Sequence, residues 1–261
     1  MKKIITFIFL ILFFGCSSTN SYSDIELTWE KALIFIPGDK KKSTQNDLRV
    51  EQIKITDLEF QKKMPLLLYL HGCTGLGDGA FLRKLSSMGL VVIAPDSFAR
   101  SFRPMQCNPR TKKGGKNLFI YDFRSAELTF ALEKISEIKW IDFDNLFLFG
   151  VSEGAVTASL FRGNVFNGRI IAQWTCTGAP LVEGIGAPKN EPILAIVKEN
   201  DPYYASNNTK SQEGNCGRFM FDRLNSKSII LKNSFGEDPH NVLNSDESLS
   251  EIRYFIKRNL R

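Results

Sequence analysis

Leu146-Phe147-Leu148-Phe149-Gly150-Val151-Ser152-Glu153-Gly154-Ala155 is the stretch on which the fold turns. Four apolar residues run into a Gly-x-Ser-x-Gly turn, and residues 155–161 continue as an Ala- and Leu-containing helical stretch. Gly-x-Ser-x-Gly by itself is a weak signal, because common residues assemble it by chance in roughly one chain in ten of this size. The strand–turn–helix setting gives it weight, since a sharp turn there lifts the serine hydroxyl clear of the backbone. Glycine is expected at 150 and 154 because a larger side chain would strike the neighbouring strand or helix. The helix start behind Ser152 also offers oriented N–H groups to developing negative charge.

Outward from this turn, short apolar runs alternate with amphipathic stretches. Buried strands are expected at 66–70, 90–94, 146–149, 170–174, 193–197 and 229–231, each a near-continuous apolar run of the kind that helices cover on both faces. Residues 126–138 place Leu128, Ala131, Leu132, Ile135 and Ile138 on one helical face. The last helix is marked by Asp246 and Glu247 in its first turn and Lys257 and Arg258 in its last. Two earlier runs, 32–36 and 50–55, are expected to add antiparallel strands. The fold class is α/β, with a mostly parallel central sheet flanked by helices on both faces. One domain over 24–261 is the economical division.

A serine hydroxyl needs a base to become a nucleophile, and the chain has only two histidines. His71 closes the 66–70 run and precedes Gly72-Cys73-Thr74-Gly75, whereas His240 lies between the last strand and the last helix. In a turn of this kind the chain order is nucleophile, acid, histidine, and only His240 satisfies it. His71 is expected to hold its glycine-rich loop in shape. Asp201, just past the 193–197 run, is the best candidate acid, with Glu199 a nearby competitor and Asp238 too close to His240 in the chain. The backbone N–H of Glu153 is one expected oxyanion donor. Cys73 is expected to supply the second, with Thr74 the alternative.

The 261 residues are 43% hydrophobic and 24% charged, ordinary values for a folded domain. The net charge of +6 is scattered, apart from Lys40 to Lys42, so a solvated surface is expected rather than a nucleic-acid footprint. Lys2 and Lys3 precede an apolar run over 4–14, too short to span a bilayer and suited to a signal peptide over 1–15. Phe13-Phe14-Gly15-Cys16 resembles the lipobox of bacterial lipoproteins, with Phe13 where leucine is usual. That resemblance implies a lipid on Cys16 and export to the cell envelope, facing the periplasm or the exterior. Residues 16–23 would then be anchor and tether, and a plain signal peptide is the alternative. Four cysteines remain for an oxidising compartment, with three possible pairings.

Leu70-His71-Gly72-Cys73-Thr74-Gly75, Ala94-Pro95-Asp96-Ser97-Phe98, the Ser152 turn, Asp201 and His240 follow in order the pattern of the dienelactone hydrolase-like branch of the α/β-hydrolase superfamily. The resemblance covers residues 66 to 256. It implies an eight-stranded hydrolase fold and hydrolysis of carboxylic esters through an acyl-enzyme, with neither metal nor cofactor. The namesake enzymes carry cysteine at the nucleophile position, so Ser152 points away from dienelactone and towards a serine esterase. The same fold suggests the pairings Cys73–Cys107 and Cys176–Cys216 at the rim of the sheet.

Aromatic residues at 98–105, 119–123 and 203–204 are expected to border the pocket, Tyr203 among them. Arg100 and Arg103 are expected to hold a substrate carboxylate. The rival readings are a peptidase or amidase on the same fold, which lacks the expected gating insertion, and a catalytically silent binding lipoprotein. The expected partners are a small ester and, through the anchor, a membrane. The last helix shows no second apolar face, which favours a monomer.

Overall fold

The computed structural model describes residues 24–38, 48–77, 79–115, 117–179, 182–204, 215–233 and 235–261. The signal-peptide, lipid-anchor and tether readings, and Lys40 to Lys42, lie outside them. Among the described residues no helix is long and apolar enough to cross a membrane.

Eight strands form one sheet: β1 (Leu33–Phe35), β2 (Leu48–Arg49), β3 (Met64–Leu70), β4 (Val91–Ala94), β5 (Ile141–Val151), β6 (Gly168–Ala172), β7 (Ile193–Lys198) and β8 (Lys227–Leu231). Their spatial order is β2-β1-β4-β3-β5-β6-β7-β8. β1 is antiparallel to β2 and β4, and every pair from β4 to β8 is parallel. Five helices accompany the sheet: α1 (Glu26–Glu30), α2 (Ala80–Ser86), α3 (Ile120–Ser136), α4 (Glu153–Leu160) and α5 (Asp246–Asn259).

Alternation along the strands splits the apolar residues between two layers. Leu67, Tyr69, Phe147 and Phe149 join Leu82 and Leu85 of α2 and Ile252, Phe255 and Ile256 of α5 on one face. Leu66, Leu68, Leu70, Leu146 and Leu148 join Leu128, Ala131 and Ile135 of α3 and Ala158 of α4 on the other. Burial on both faces explains why these strands read as continuous apolar runs. Phe147 and Phe149 are fully buried, each worth about 2–3 kcal/mol of burial. Helix α5 begins as its residues indicate, with the Ser245 hydroxyl accepting from the Ser248 N–H at 3.4 Å.

Two expectations change at the edges. The 50–55 run is not a strand, because β2 stops at Arg49 and two 3₁₀ turns follow, Val50–Gln52 and Ile55–Asp57. The Gln52 side chain accepts the Arg49 N–H at 2.8 Å and turns the chain, while Val50 and Ile55 still bury themselves as single pegs. The expected 170–174 strand ends at Ala172, because Gln173 takes φ 63° and diverts the backbone.

Both expected disulfides are present, Cys73–Cys107 with Cα atoms 5.9 Å apart and Cys176–Cys216 with 5.0 Å. Two cystines are compatible with an exported protein, since reducing compartments keep such thiols free.

Candidate active site

The parallel register determines where the site forms. β5 delivers Ser152 to the C-terminal edge of the sheet, and Ser152 sits at φ 53°, ψ −113°, a conformation that side chains other than glycine rarely adopt. Its N–H is held by the Ala172 carbonyl of β6 at 2.9 Å. The flanking glycines have a steric cause. A Cβ on Gly150 would lie 2.3 Å from the Gly154 carbonyl oxygen, and one on Gly154 would lie 2.1 Å from that of Leu70. Any larger residue would push the turn off the neighbouring strand or helix.

β7 ends next to Asp201, which is fully buried, and the loop after β8 carries His240. His240 Nδ1 lies 2.7 Å from Asp201 Oδ2, and His240 Nε2 lies 3.0 Å from Ser152 Oγ. A carboxylate facing Nδ1 keeps the proton there and leaves the Nε2 lone pair to accept the serine hydroxyl. Both ends of this series are braced. Asp201 Oδ1 accepts the Tyr203 N–H at 3.0 Å, and Asp238 Oδ1 accepts the His240 N–H at 3.0 Å. The Gln173 side-chain amide donates to the His240 carbonyl, and the Tyr203 ring lies 4.3 Å from the imidazole. Glu199 faces elsewhere, accepting the Asn233 N–H at 3.2 Å.

Ser152 opens on a cavity of about 90 Å³ lined in part by Cys73, Cys107, Glu153, Tyr121, Tyr203 and Tyr204. Glu153 is the first residue of α4, where N–H groups have no intrahelical carbonyl to meet. Cys73 borders the cavity and Thr74 does not, which leaves Cys73 as the better placed of the two loop residues.

His71 is buried and neutral. Its Nε2 accepts the Ser97 N–H at 3.0 Å, so the proton resides on Nδ1, 2.7 Å from the Gly72 carbonyl. Burial first, then the Arg124 guanidinium, holds its pKa well below the usual imidazole range. It ties the Gly72–Cys73 turn to the start of the loop after β4, the structural part expected of it.

Arg100 and Arg103 correct the sequence reading, because neither lines the cavity. Arg100 Nε meets Glu127 Oε1 at 2.7 Å and its Nη1 meets Asp24 Oδ2 at 3.1 Å. Arg103 pairs with the Glu153 carboxylate, donates to Ser97 Oγ at 2.8 Å and lies 4.1 Å above the Phe98 ring. The cause is that Glu127 and Glu153 bury their carboxylates beneath this loop and need counter-charges there. Burial raises the Glu153 pKa, opposed by Arg124 and Arg103.

The sequence reading missed four residues that belong to this environment: Arg124, Glu127, Gln106 and Tyr121. Arg124 and Glu127 share the buried face of α3 with Leu128 and Ala131, a placement the helical period would have revealed. Gln106 Nε2 reaches the Tyr121 hydroxyl at 3.1 Å, and nothing in the sequence marks that pair. Among the described residues no group of three or more His, Cys, Asp or Glu is placed to hold a metal.

A mostly parallel eight-stranded sheet, with a serine on the turn after β5 and an aspartate and histidine after β7 and β8, is the α/β-hydrolase fold. Solved structures share it. A phospholipase/carboxylesterase from Dyadobacter fermentans superposes with a TM-score of 0.53 at 15% identity, over 77% of this chain and 93% of its own. A candidate dienelactone hydrolase from Klebsiella pneumoniae gives 0.51 at 13% identity, over 77% and 89%. A hyperthermophilic esterase from the archaeon Pyrobaculum calidifontis gives 0.50 at 16% identity, over 77% and 78%. Comparison with protein-family models found no match, and comparison with curated proteins found none either.

Proposed function

We propose that the protein is a serine hydrolase that cleaves carboxylic esters through an acyl-enzyme, with Ser152 as nucleophile, His240 as base and Asp201 as its orienting acid. The observation that carries this reading is the unbroken series from Asp201 Oδ2 through the imidazole to Ser152 Oγ, ending in an open cavity. In the first step Oγ attacks the ester carbonyl and His240 Nε2 takes its proton. Asp201 stabilises the imidazolium that results. The carbonyl oxygen becomes an oxyanion facing the N–H groups of Glu153 and Cys73. Collapse of the tetrahedral adduct releases the alcohol, which leaves with the proton held by His240. A water then repeats the sequence on the acyl-enzyme.

The cavity suits a short acyl group. It is smaller than the ~150 Å³ cavity that accommodates benzene in an engineered core. We further propose that the chain works outside the cytoplasm, as a monomer held at a membrane by lipid on Cys16. The two cystines support the oxidising compartment.

Labelling the full-length protein with a fluorophosphonate, followed by mapping of the modified peptide, tests the chemistry without knowledge of the natural substrate. Modification is expected at Ser152 and is expected to vanish in Ser152→Ala and His240→Ala. Turnover of p-nitrophenyl acetate should exceed that of the octanoate and fall by about 10⁴-fold or more in either variant. Folded protein that neither labels nor turns over any ester would end the proposal.

A further inference from the structure

The turn that presents Asp201 to His240 also sets two tyrosines against the site. Tyr203 uses its ring, packed beside the imidazole. Tyr204 uses its hydroxyl. The Tyr204 N–H closes the turn onto the Asp201 carbonyl at 3.2 Å, and its side chain borders the same cavity as Ser152, Glu153 and Cys73. There it hydrogen-bonds the Ser152 side chain. Its ring packs against a cluster that includes Ala155, Trp174 and the buried Cys176–Cys216 pair, so the hydroxyl is held in place by surroundings that do not have to move.

We infer that Tyr204 is a further catalytic residue, whose phenolic O–H donates to the oxyanion of the tetrahedral adduct together with the N–H groups of Glu153 and Cys73. This rests on the serine-hydrolase reading and goes beyond it. The hydrogen-bonding capacities of the two hydroxyls dictate the roles. Ser152 has one proton and two lone pairs. Its proton goes to His240 Nε2, so towards Tyr204 the serine oxygen is the acceptor and the phenol is the donor. When Oγ bonds to the carbonyl carbon it becomes an ester-type oxygen and a poor acceptor. Negative charge appears instead on the former carbonyl oxygen, bonded to the same carbon and facing the same cavity. The phenol then has a stronger acceptor within reach, and no proton needs to leave it. A preorganised donor that binds the adduct more tightly than the substrate lowers the barrier, and removal of one such donor costs about 10²–10³ in kcat.

Burial, reinforced by the Asp201 carboxylate, pushes the Tyr204 hydroxyl well above the usual phenol range, so the donor keeps its proton wherever the protein works. Packing does not explain the hydroxyl, because phenylalanine would fill the same cluster. The sequence reading placed Tyr204 at the rim of the pocket only as one more aromatic ring.

The test compares the full-length wild type with Tyr204→Phe on p-nitrophenyl acetate, and measures inhibition of both by methylboronic acid, which forms a tetrahedral anionic adduct with an active-site serine. The expected result is a kcat lower by about 100-fold, a KM within threefold of wild type, and boronate inhibition weakened in step with kcat. Ring-fluorinated tyrosine at 204, a more acidic donor of nearly the same shape, should give a kcat different from that of tyrosine. A hydroxyl with a purely structural part would give the same kcat. An active wild type with kcat of Tyr204→Phe within twofold would overturn the role of Tyr204 alone, as would a rise in KM at constant kcat. A wild type that neither turns over nor labels would overturn the hydrolase reading itself, and with it any oxyanion for Tyr204 to hold.

Discussion

Removing the Cys73–Cys107 bridge, by replacing both cysteines with alanine so that no lone thiol remains, separates two effects that the structure locates at one place. The first is on the unfolded chain. The bridge spans 34 residues of sequence, and the loop-entropy relation for that length gives about 3.8 kcal/mol at 25 °C. Against a typical domain stability of about 5–15 kcal/mol, that is a large fraction. The second effect is on the site. Cys73 lies in Gly72-Cys73-Thr74-Gly75-Leu76-Gly77, where Gly75 and Gly77 have positive φ and Gly75 N–H to the Gly72 carbonyl, at 3.2 Å, closes the turn. Without the bridge this loop keeps the His71 anchor but loses its tie to Cys107. A displacement of about 1 Å at such a donor costs on the order of 100-fold in rate. Urea denaturation should therefore show a midpoint lowered by about 4 kcal/mol divided by the m-value. The kcat of the folded double variant should fall at least tenfold. Removing Cys176 and Cys216, 40 residues apart, should cost about 3.9 kcal/mol, nearly the same. A loss below 1 kcal/mol would refute the loop-entropy argument. Unchanged kcat in folded Cys73→Ala/Cys107→Ala would refute the placement of the Cys73 N–H on the oxyanion.

Two further outcomes follow from buried charge. His71 has its pKa depressed in the folded state, so below about pH 6.5 the unfolded chain binds a proton that the native one refuses. Its contribution to stability is complete above that pH and is lost as pH falls, by at most about 1.4 kcal/mol per unit. Denaturation midpoints between pH 7 and 5.5 should therefore drop more steeply in wild type than in His71→Gln, and parallel curves would refute the depressed pKa. Arg169 is fully buried and pairs with Glu191, while also donating to the Ala158 and Gly163 carbonyls at 2.8 Å each. Glu191→Ala should lower stability by about 3–5 kcal/mol, because it strands a buried cation, and should leave kcat untouched. A melting temperature within 2 °C of wild type would show that the carbonyls suffice.

How much of this was legible depends on what each signal reports. A strand buried on both faces announces itself by composition, and the apolar runs at 66–70, 90–94 and 193–197 do so. The Ser152 turn is legible because steric demand puts glycine at 150 and 154, where a Cβ would strike the Gly154 or Leu70 backbone. His240 and Asp201 follow from chain order, because in a parallel sheet every loop after a strand reaches the same edge. The edge strand was misread because Val50 and Ile55 are apolar for burial as single pegs, and apolar spacing alone does not separate pegs from pleat.

Arg100 and Arg103 show a deeper limit. The rule that sites gather at the C-terminal edge is sound, but that edge also covers the N-terminus of α4 and the buried face of α3, where carboxylates had already been placed. Glu153 makes the point. Its backbone N–H is positioned for an oxyanion, yet its own carboxylate is buried a few bonds away. Left alone, that charge would repel the oxyanion its N–H is meant to hold. Arg103 and Arg124 neutralise it, the latter from 3.6 Å, and Glu127 balances the surplus cation. Arg103 thus serves an anion, as the sequence suggested, but the anion belongs to the protein.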